Sequence, residues 1–207
     1  MRLKKLILAT VVALNINSVA AYAELTSHAK VILQEELEMN NVKKRDAVLC
    51  LAENIYFEAR AENFAGKAAV ANVTRNRVKS KDYPNTYCGV VKQGPVRESW
   101  KTKGKDIQDG NRIYYPIKHR CQFSWYCDGI KDVIWANYEK TGETIEGNAR
   151  AWRDSVRLAI ATVGEGDMLL KDNTKGALFY YNHNLVDPHW AESKEYIGVI
   201  GNHTFMK

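Results

Sequence analysis

Several chemical signatures are missing from this chain. Its four cysteines include no C-x-x-C pair, which removes the usual ligand spacing of a four-cysteine zinc site. No H-E-x-x-H occurs, and the H-x5-H formed by His183 and His189 is not a strong ligand spacing. No serine stands in a G-x-S-x-G elbow, so a serine esterase is disfavoured. Internal repeats and low-complexity tracts are absent. So is an apolar run long enough to cross a bilayer, because the longest, Leu6 to Leu14, falls short of the roughly 20 residues a span needs.

That short run lies in MRLKKLILATVVALNINSVAAYA, with Arg2, Lys4 and Lys5 before it and Ala21-Tyr22-Ala23 after it. Charge, a short apolar stretch and an A-x-A site in that order predict a secretory leader over 1–23, which is set apart from the fold. The remaining 184 of 207 residues suffice for one domain with its own core. The formal charge of the whole chain is +6; without the leader's three basic residues, 27 Lys and Arg face 24 Asp and Glu, leaving +3. This is too weak to indicate a nucleic-acid partner, although it suits an anionic polymer.

All four cysteines fall in the exported part, where an even number implies disulfides. Three pairings are possible. We favour Cys121 with Cys127, closing a tight loop around QFSWY, and Cys50 with Cys88, tying a helix to the loop after it.

Along the chain, 24–41 reads as a surface lead-in with a short amphipathic helix, its Glu35, Glu36 and Glu38 on a solvated face. The main folded domain is expected over 42–207. Helices are predicted over 42–59 and 64–79, the second capped by Asn63, with a helical turn over 88–92. Residues 93–120 carry Pro95, Pro116 and many basic residues without a period, which indicates a loop or small sheet excursion. Helix is expected weakly over 132–140 and strongly over 148–163, where Trp152, Val156, Ala159, Ile160 and Val163 make one stripe. Short strands are expected over 178–181 and 196–200. The fold class is therefore α+β, mainly helical, with a minor β part.

One residue in the first of these helices is out of character. At about 100° per residue, with Leu51 at zero, Glu58 lies near about −20°, at the edge of the apolar arc and beside Tyr56 and Phe57. Glu53, near about 200° on the same scale, reads as ordinary surface. A carboxyl at an apolar rim holds its proton more tightly than in water, as a general acid must near neutral pH. A helix-end carboxylate paired with Arg60 or an arginine of the next helix is the other reading of the same position.

Seven blocks in one order weigh toward the first of these readings: NIYFEAR-x-E (Asn54 to Glu62), G-x-AAVA-x-V-x-x-NRV (Gly66 to Val78), YP-x-x-x-CGVV (Tyr83 to Val91), CQFSWYCDG (Cys121 to Gly129), GALFY (Gly176 to Tyr180), V-x-P-x-W (Val186 to Trp190) and IGNHTF (Ile200 to Phe205). Together they resemble the SleB-like cell wall hydrolase family, the spore-cortex-lytic type. The resemblance implies a lysozyme-like, lytic-transglycosylase-like single domain. It also implies cleavage of the β-1,4 bond between N-acetylmuramic acid and N-acetylglucosamine, with Glu58 as the one catalytic glutamate. The chain departs from the family pattern at Ala61, at Lys67 and in the basic insertion before Cys121.

With one carboxyl, Glu58 would protonate the leaving oxygen and then take the proton of the muramic 6-hydroxyl, giving a 1,6-anhydro product. The usual two-carboxylate arrangement is then unnecessary. Candidate substrate contacts are Gln122, Ser124 and Trp125 in the cysteine-closed loop, Tyr180, Tyr181 and Asn182 at the end of the strand expected over 178–181, and Glu62 and His203. For His203 and Glu62 a structural role is the other reading, for Trp125 it is core packing held by the bridge, and Trp190 is expected to pack. No cofactor or metal is expected, and peptidoglycan is the expected partner of a monomer in the periplasm or outside the cell. A zinc-dependent N-acetylmuramoyl-L-alanine amidase and a non-catalytic peptidoglycan-binding domain remain the alternatives.

Overall fold

The computed structural model describes residues 23–134, 142–164 and 170–207. The leader, apart from Ala23, and most of the weak helix expected over 132–140 lie outside the described residues. The architecture is α+β and mainly helical, as expected.

The centre is helix α2 (Arg45–Ala59), which buries Val48, Leu51, Ala52, Ile55, Tyr56 and Ala59. Helix α3 (Phe64–Lys79) follows after a tight turn; its first turn is closed by the Asn63 side chain, which accepts from the Gly66 amide at 2.9 Å. A short helix, α4 (Tyr87–Val91), starts at Thr86 in the same way and is bonded to α2 by the Cys50–Cys88 disulfide. Helix α5 (Gly142–Val163) packs against both α2 and α3. Its Trp152 is fully buried and meets Tyr56 edge-on at 5.9 Å. Fully buried Leu51, Ile55 and Val156 each contribute about 1.5–3 kcal/mol, so this helical contact dominates the core.

The stretch expected as a surface lead-in belongs to that core. Helix α1 (Ser27–Met39) lies on α5, with Ala29, Ile32 and Leu37 buried and the Ala29 carbonyl accepting from the Trp152 indole at 3.0 Å. Glu36 is 2% exposed rather than solvated, and accepts from Arg157 Nε at 2.9 Å. The partner that compensates its desolvation comes from more than a hundred residues away.

Glu53 is a second correction. It is fully buried, because α2 is covered on more than one side: Ala23 lies over Glu53 and donates its amide at 3.1 Å, and Glu24–Leu25 (β1) follow directly. Val133–Ile134 (β4) runs parallel to β1 and is strand, where a weak helix was expected.

Between these, Val96–Glu98 (β2) pairs antiparallel with Tyr114–Pro116 (β3) in the basic segment. The C-terminal part forms the third sheet, antiparallel in the order β5 (Phe179–Asn182), β7 (His203–Met206), β6 (Tyr196–Ile200). Every residue of the central strand β7 is buried. Ala69 and Val73 of α3 meet Ala177 and Phe205 in a small core of their own, which sets this sheet against the helices.

Candidate active site

The polar residues of α3 explain how a distant strand reaches α2. Asn72 donates to the Lys171 carbonyl, Arg75 to the Leu170 carbonyl at 2.6 Å, and Asn76 to the Ala177 carbonyl and to Asp172. Arg77 Nε donates to the Leu178 carbonyl at 2.8 Å. These amides and guanidinium groups satisfy backbone that would otherwise be buried without partners. They also fix the chain immediately before β5, and β5 carries Tyr180.

The Tyr180 hydroxyl donates to Glu58 Oε2 at 3.0 Å. Glu58 sits at the end of α2, partly buried, on the floor of a cleft of about 170 Å³ lined also by Arg77, Cys121, Gln122, Phe123, Ser124 and Tyr180. Burial raises the Glu58 pKa above the usual carboxylate range, while the Tyr180 hydrogen bond and the Arg77 charge pull in the opposite direction. Burial and the neighbouring carboxylate together raise the Tyr180 pKa well above that of an ordinary phenol, so its hydroxyl stays a donor. A carboxyl held this way has one oxygen engaged and can exchange a proton through the other.

The roof of the cleft is the loop closed by Cys121–Cys127, in which Gln122 and Ser124 are exposed toward solvent and Phe123 and Trp125 are buried. The loop is anchored from beneath. Trp125 Nε1 donates to Asn54 Oδ1 at 3.0 Å, its ring stacks on Phe57 at 4.7 Å, and Asn54 in turn donates to Thr74. Trp125 is 7% exposed and packs beneath the loop, outside the lining of the cleft.

Of the expected site residues, Glu58, Gln122, Ser124 and Tyr180 come together at one cleft. The others do not. Strand alternation turns Tyr181 to the opposite side of β5, edge-on to Trp190 at 5.7 Å. Asn182 spends its side-chain oxygen on the Asn184 amide. Glu62 grips the β6–β7 turn, accepting from the Asn202 amide at 3.2 Å and from Asn202 Nδ2 at 2.9 Å. His203 is buried between Glu62, at 3.6 Å, and the Tyr180 ring, which it meets edge-on at 5.3 Å. Burial lowers its pKa, with Glu62 opposing that shift. It supports Tyr180 rather than facing the cleft.

Arg77 was not singled out by sequence reasoning, although a signal existed. It continues the i, i+3, i+7 row of Val70 and Val73, where an apolar residue would be expected. It is 5% exposed, and its guanidinium lies over the Phe123 and Tyr83 rings at 5.1 and 5.3 Å.

His183 lies close enough to His203 to act on its charge. Among the described residues no group of three His, Cys, Asp or Glu side chains is placed to hold a metal ion. A larger hollow of about 700 Å³ between α1, α2 and α5 contains none of the cleft residues, and its Glu36 and Arg157 are already paired.

Comparison with known proteins adds the family. The model described as Cell Wall Hydrolase matches residues 61–206, more than half of the chain. The chain belongs to the cell wall hydrolase family. It is accordingly a peptidoglycan-cleaving enzyme. The matched region contains Arg77, Gln122, Ser124 and Tyr180 and begins three residues after Glu58.

Two solved structures are similar at low identity. One is the catalytic domain of the germination-specific lytic transglycosylase SleB from Bacillus anthracis, 24% identical, with 81% of this chain and 98% of that chain covered and a TM-score of 0.47. The other is the catalytic domain of the Bacillus cereus SleB protein, 24% identical, with 81% and 94% covered and a TM-score of 0.44. No curated protein matches the chain. In this cell wall hydrolase the cleft is thus assembled from α2, the end of α3, the disulfide loop and β5.

Proposed function

We propose that this cell wall hydrolase cleaves the glycan strand between N-acetylmuramic acid and N-acetylglucosamine as a lytic transglycosylase. The observation that carries the reading is the partly buried Glu58 carboxyl, held by Tyr180 on the floor of the cleft. Burial keeps a proton on Glu58 for delivery to the glycosidic oxygen as the C1–O bond breaks. Once ionised, the carboxylate is stabilised by the Tyr180 hydroxyl and the Arg77 charge, so it survives long enough to act as base. It then takes the proton of the muramic 6-hydroxyl as O6 bonds to C1. Glu58 ends protonated, no water is consumed, and the product is a 1,6-anhydro sugar.

Gln122 and Ser124 present an amide and a hydroxyl at the cleft roof, groups suited to a sugar's acetamido and hydroxyl substituents. The reading includes export by the leader expected over 1–23 and action outside the cytoplasm as a monomer.

The deciding experiment compares the mature enzyme with Glu58→Gln on purified peptidoglycan and reads the released fragments by mass spectrometry. Muropeptides one water lighter than hydrolysis products, made by the wild type and missing with the variant, are expected. Reducing-end fragments would replace the transglycosylase with a lysozyme-type hydrolase. Stem peptides released equally by both proteins would indicate an amidase, and release of nothing by either would indicate a wall-binding domain.

A further inference from the structure

No residue of the basic insertion over 93–120 lines the cleft, yet the insertion carries the charge of the protein. It holds seven Lys and Arg against three Asp and Glu, a net +4, so the rest of the mature chain at +3 is slightly negative. Within it Arg112 is paired, to Glu98 at 2.8 Å and to Asp109 at 3.1 Å. Arg97, Lys101, Lys103 and Lys105 are exposed and form no ion pair with a described residue. Interleaved with them are aromatic side chains that no core claims: Trp100 is 79% exposed, Tyr114 47% and Tyr115 41%.

The segment is nevertheless built. Strands β2 and β3 pair, and Arg97 stands opposite Tyr115 on one face. The excursion between them is closed by the Ser99 amide on the Ile113 carbonyl at 2.7 Å and by the Ile113 amide on the buried Thr102 hydroxyl at 3.2 Å. Its base is fastened to the cleft roof. The Gln122 amide donates to the Gln93 carbonyl at 2.9 Å and the His119 amide to the Cys127 carbonyl at 2.8 Å. Gly94 packs so tightly on Cys121 that an added Cβ would lie 2.9 Å from its sulfur. Whatever the arm holds is therefore held in register with Gln122, Ser124 and Glu58.

We propose that this arm is an accessory binding site for an anionic glycan, the peptidoglycan strand beyond the part seated in the cleft. Aromatic faces suit the apolar faces of sugar rings, and unpaired ammonium and guanidinium groups suit the carboxylates of lactyl and stem-peptide substituents. Trp100 is set among lysines, and the consecutive Tyr114 and Tyr115 alternate to opposite faces of β3, so they do not make the continuous apolar face that inserts into a bilayer, which favours a glycan over a lipid surface. The inference rests on peptidoglycan being the substrate, but not on how its glycosidic bond is broken.

The test uses the mature enzyme, Trp100→Ala, and the combined Lys101→Gln, Lys103→Gln and Lys105→Gln variant. Each is sedimented with purified sacculi over about 0.05 to 0.5 M NaCl, a range that shortens the Debye length several-fold. Turnover is measured on sacculi and on a short soluble glycan fragment. Both variants should bind sacculi about ten-fold more weakly, wild-type binding should weaken with salt, and the ratio of sacculus to fragment turnover should fall. Because these side chains are exposed, the thermal midpoint of each variant reports that folding is intact. Sacculus binding within two-fold of wild type in both variants would overturn the proposal. So would arm-dependent binding to phosphatidylglycerol vesicles with no arm-dependent binding to sacculi. Arm-dependent sacculus binding by a wild type that cleaves nothing would uphold the arm and defeat the enzymatic reading, which separates the two.

Discussion

Tyr180 and Glu58, 122 residues apart, share a 3.0 Å hydrogen bond in which the phenol donates to Oε2. The bond opposes the effect of burial on Glu58, because it favours the ionised carboxylate that burial disfavours. Glu58 is thus set between two demands, holding a proton before bond cleavage and accepting one after it.

Tyr180→Phe removes that donor and leaves the ring in place against His203 and Phe205. Glu58 should then keep its proton to higher pH, so the basic limb of the kcat/KM profile should move up. Losing a hydrogen bond to a charged group, about 1.5–3 kcal/mol, should lower kcat/KM at neutral pH by at least about ten-fold. An unmoved limb would show that Tyr180 does not act through Glu58.

Arg77 acts on the same carboxyl by charge. Arg77→Gln should also move the basic limb up, and it should destabilise the fold by about 2–3 kcal/mol through loss of the Leu178 bond and the two ring contacts. Arg77→Lys keeps the charge without the guanidinium, so it should restore the limb more than the stability. A pH titration of activity and a denaturant melt read the two effects separately.

Glu53 predicts a stability change far from the cleft. Burial raises its pKa to about 8, against the opposing Lys92 charge and Ala23 amide. Below the unfolded value of about 4.3 the group is protonated in both states and costs nothing. Between about 4.3 and 8 the unfolded chain releases its proton first, so stability falls as pH rises. Glu53→Gln should therefore gain thermal stability relative to wild type between pH 5 and pH 8, by up to several kcal/mol. Ala23 both covers Glu53 and donates to it, so the comparison is made on chains that retain Ala23. Parallel melting curves of the two proteins across that range would contradict the prediction.

The two disulfides should separate into different roles. Replacing Cys50 and Cys88 together by Ser unties α4 from α2 and should cost about 2–4 kcal/mol of stability. Replacing Cys121 and Cys127 opens a loop of only six residues' separation, so activity should fall more than stability as Gln122 and Ser124 lose their frame. Thiol titration of the unreduced protein should find no free cysteine.

At Gly201 the backbone has φ +60°, and an added Cβ would lie within 2.1 Å of Glu62 Oε2. Gly201→Ala should displace Glu62 from the turn and loosen His203 against Tyr180, lowering both the melting temperature and kcat. Gly104, at φ +72° with open space around it, provides the control: Gly104→Ala should cost only the backbone strain.

Much of this protein can be read from its residues in order. Helices α2 and α3 and the cap at Asn63 follow from apolar spacing and side-chain chemistry, and Glu58 stands out because a carboxylate interrupts an apolar arc. Of three possible cysteine pairings the favoured one is the one the structure holds, and seven ordered blocks point to the family. Periodicity, however, assigns a helix one buried face. It misplaced Glu53 and Glu36 because α2 and α1 are covered by Ala23 and by α5, and nothing local to either glutamate encodes that cover. Only the tertiary structure decided which polar residues meet. For Trp125, open between packing and sugar contact, the indole found Asn54, and Glu62, open between a structural role and a substrate contact, met the β6–β7 turn because Asn202 offers it two donors. Burial makes an unmatched polar group costly, and its partner is chosen by the fold rather than by the neighbouring sequence.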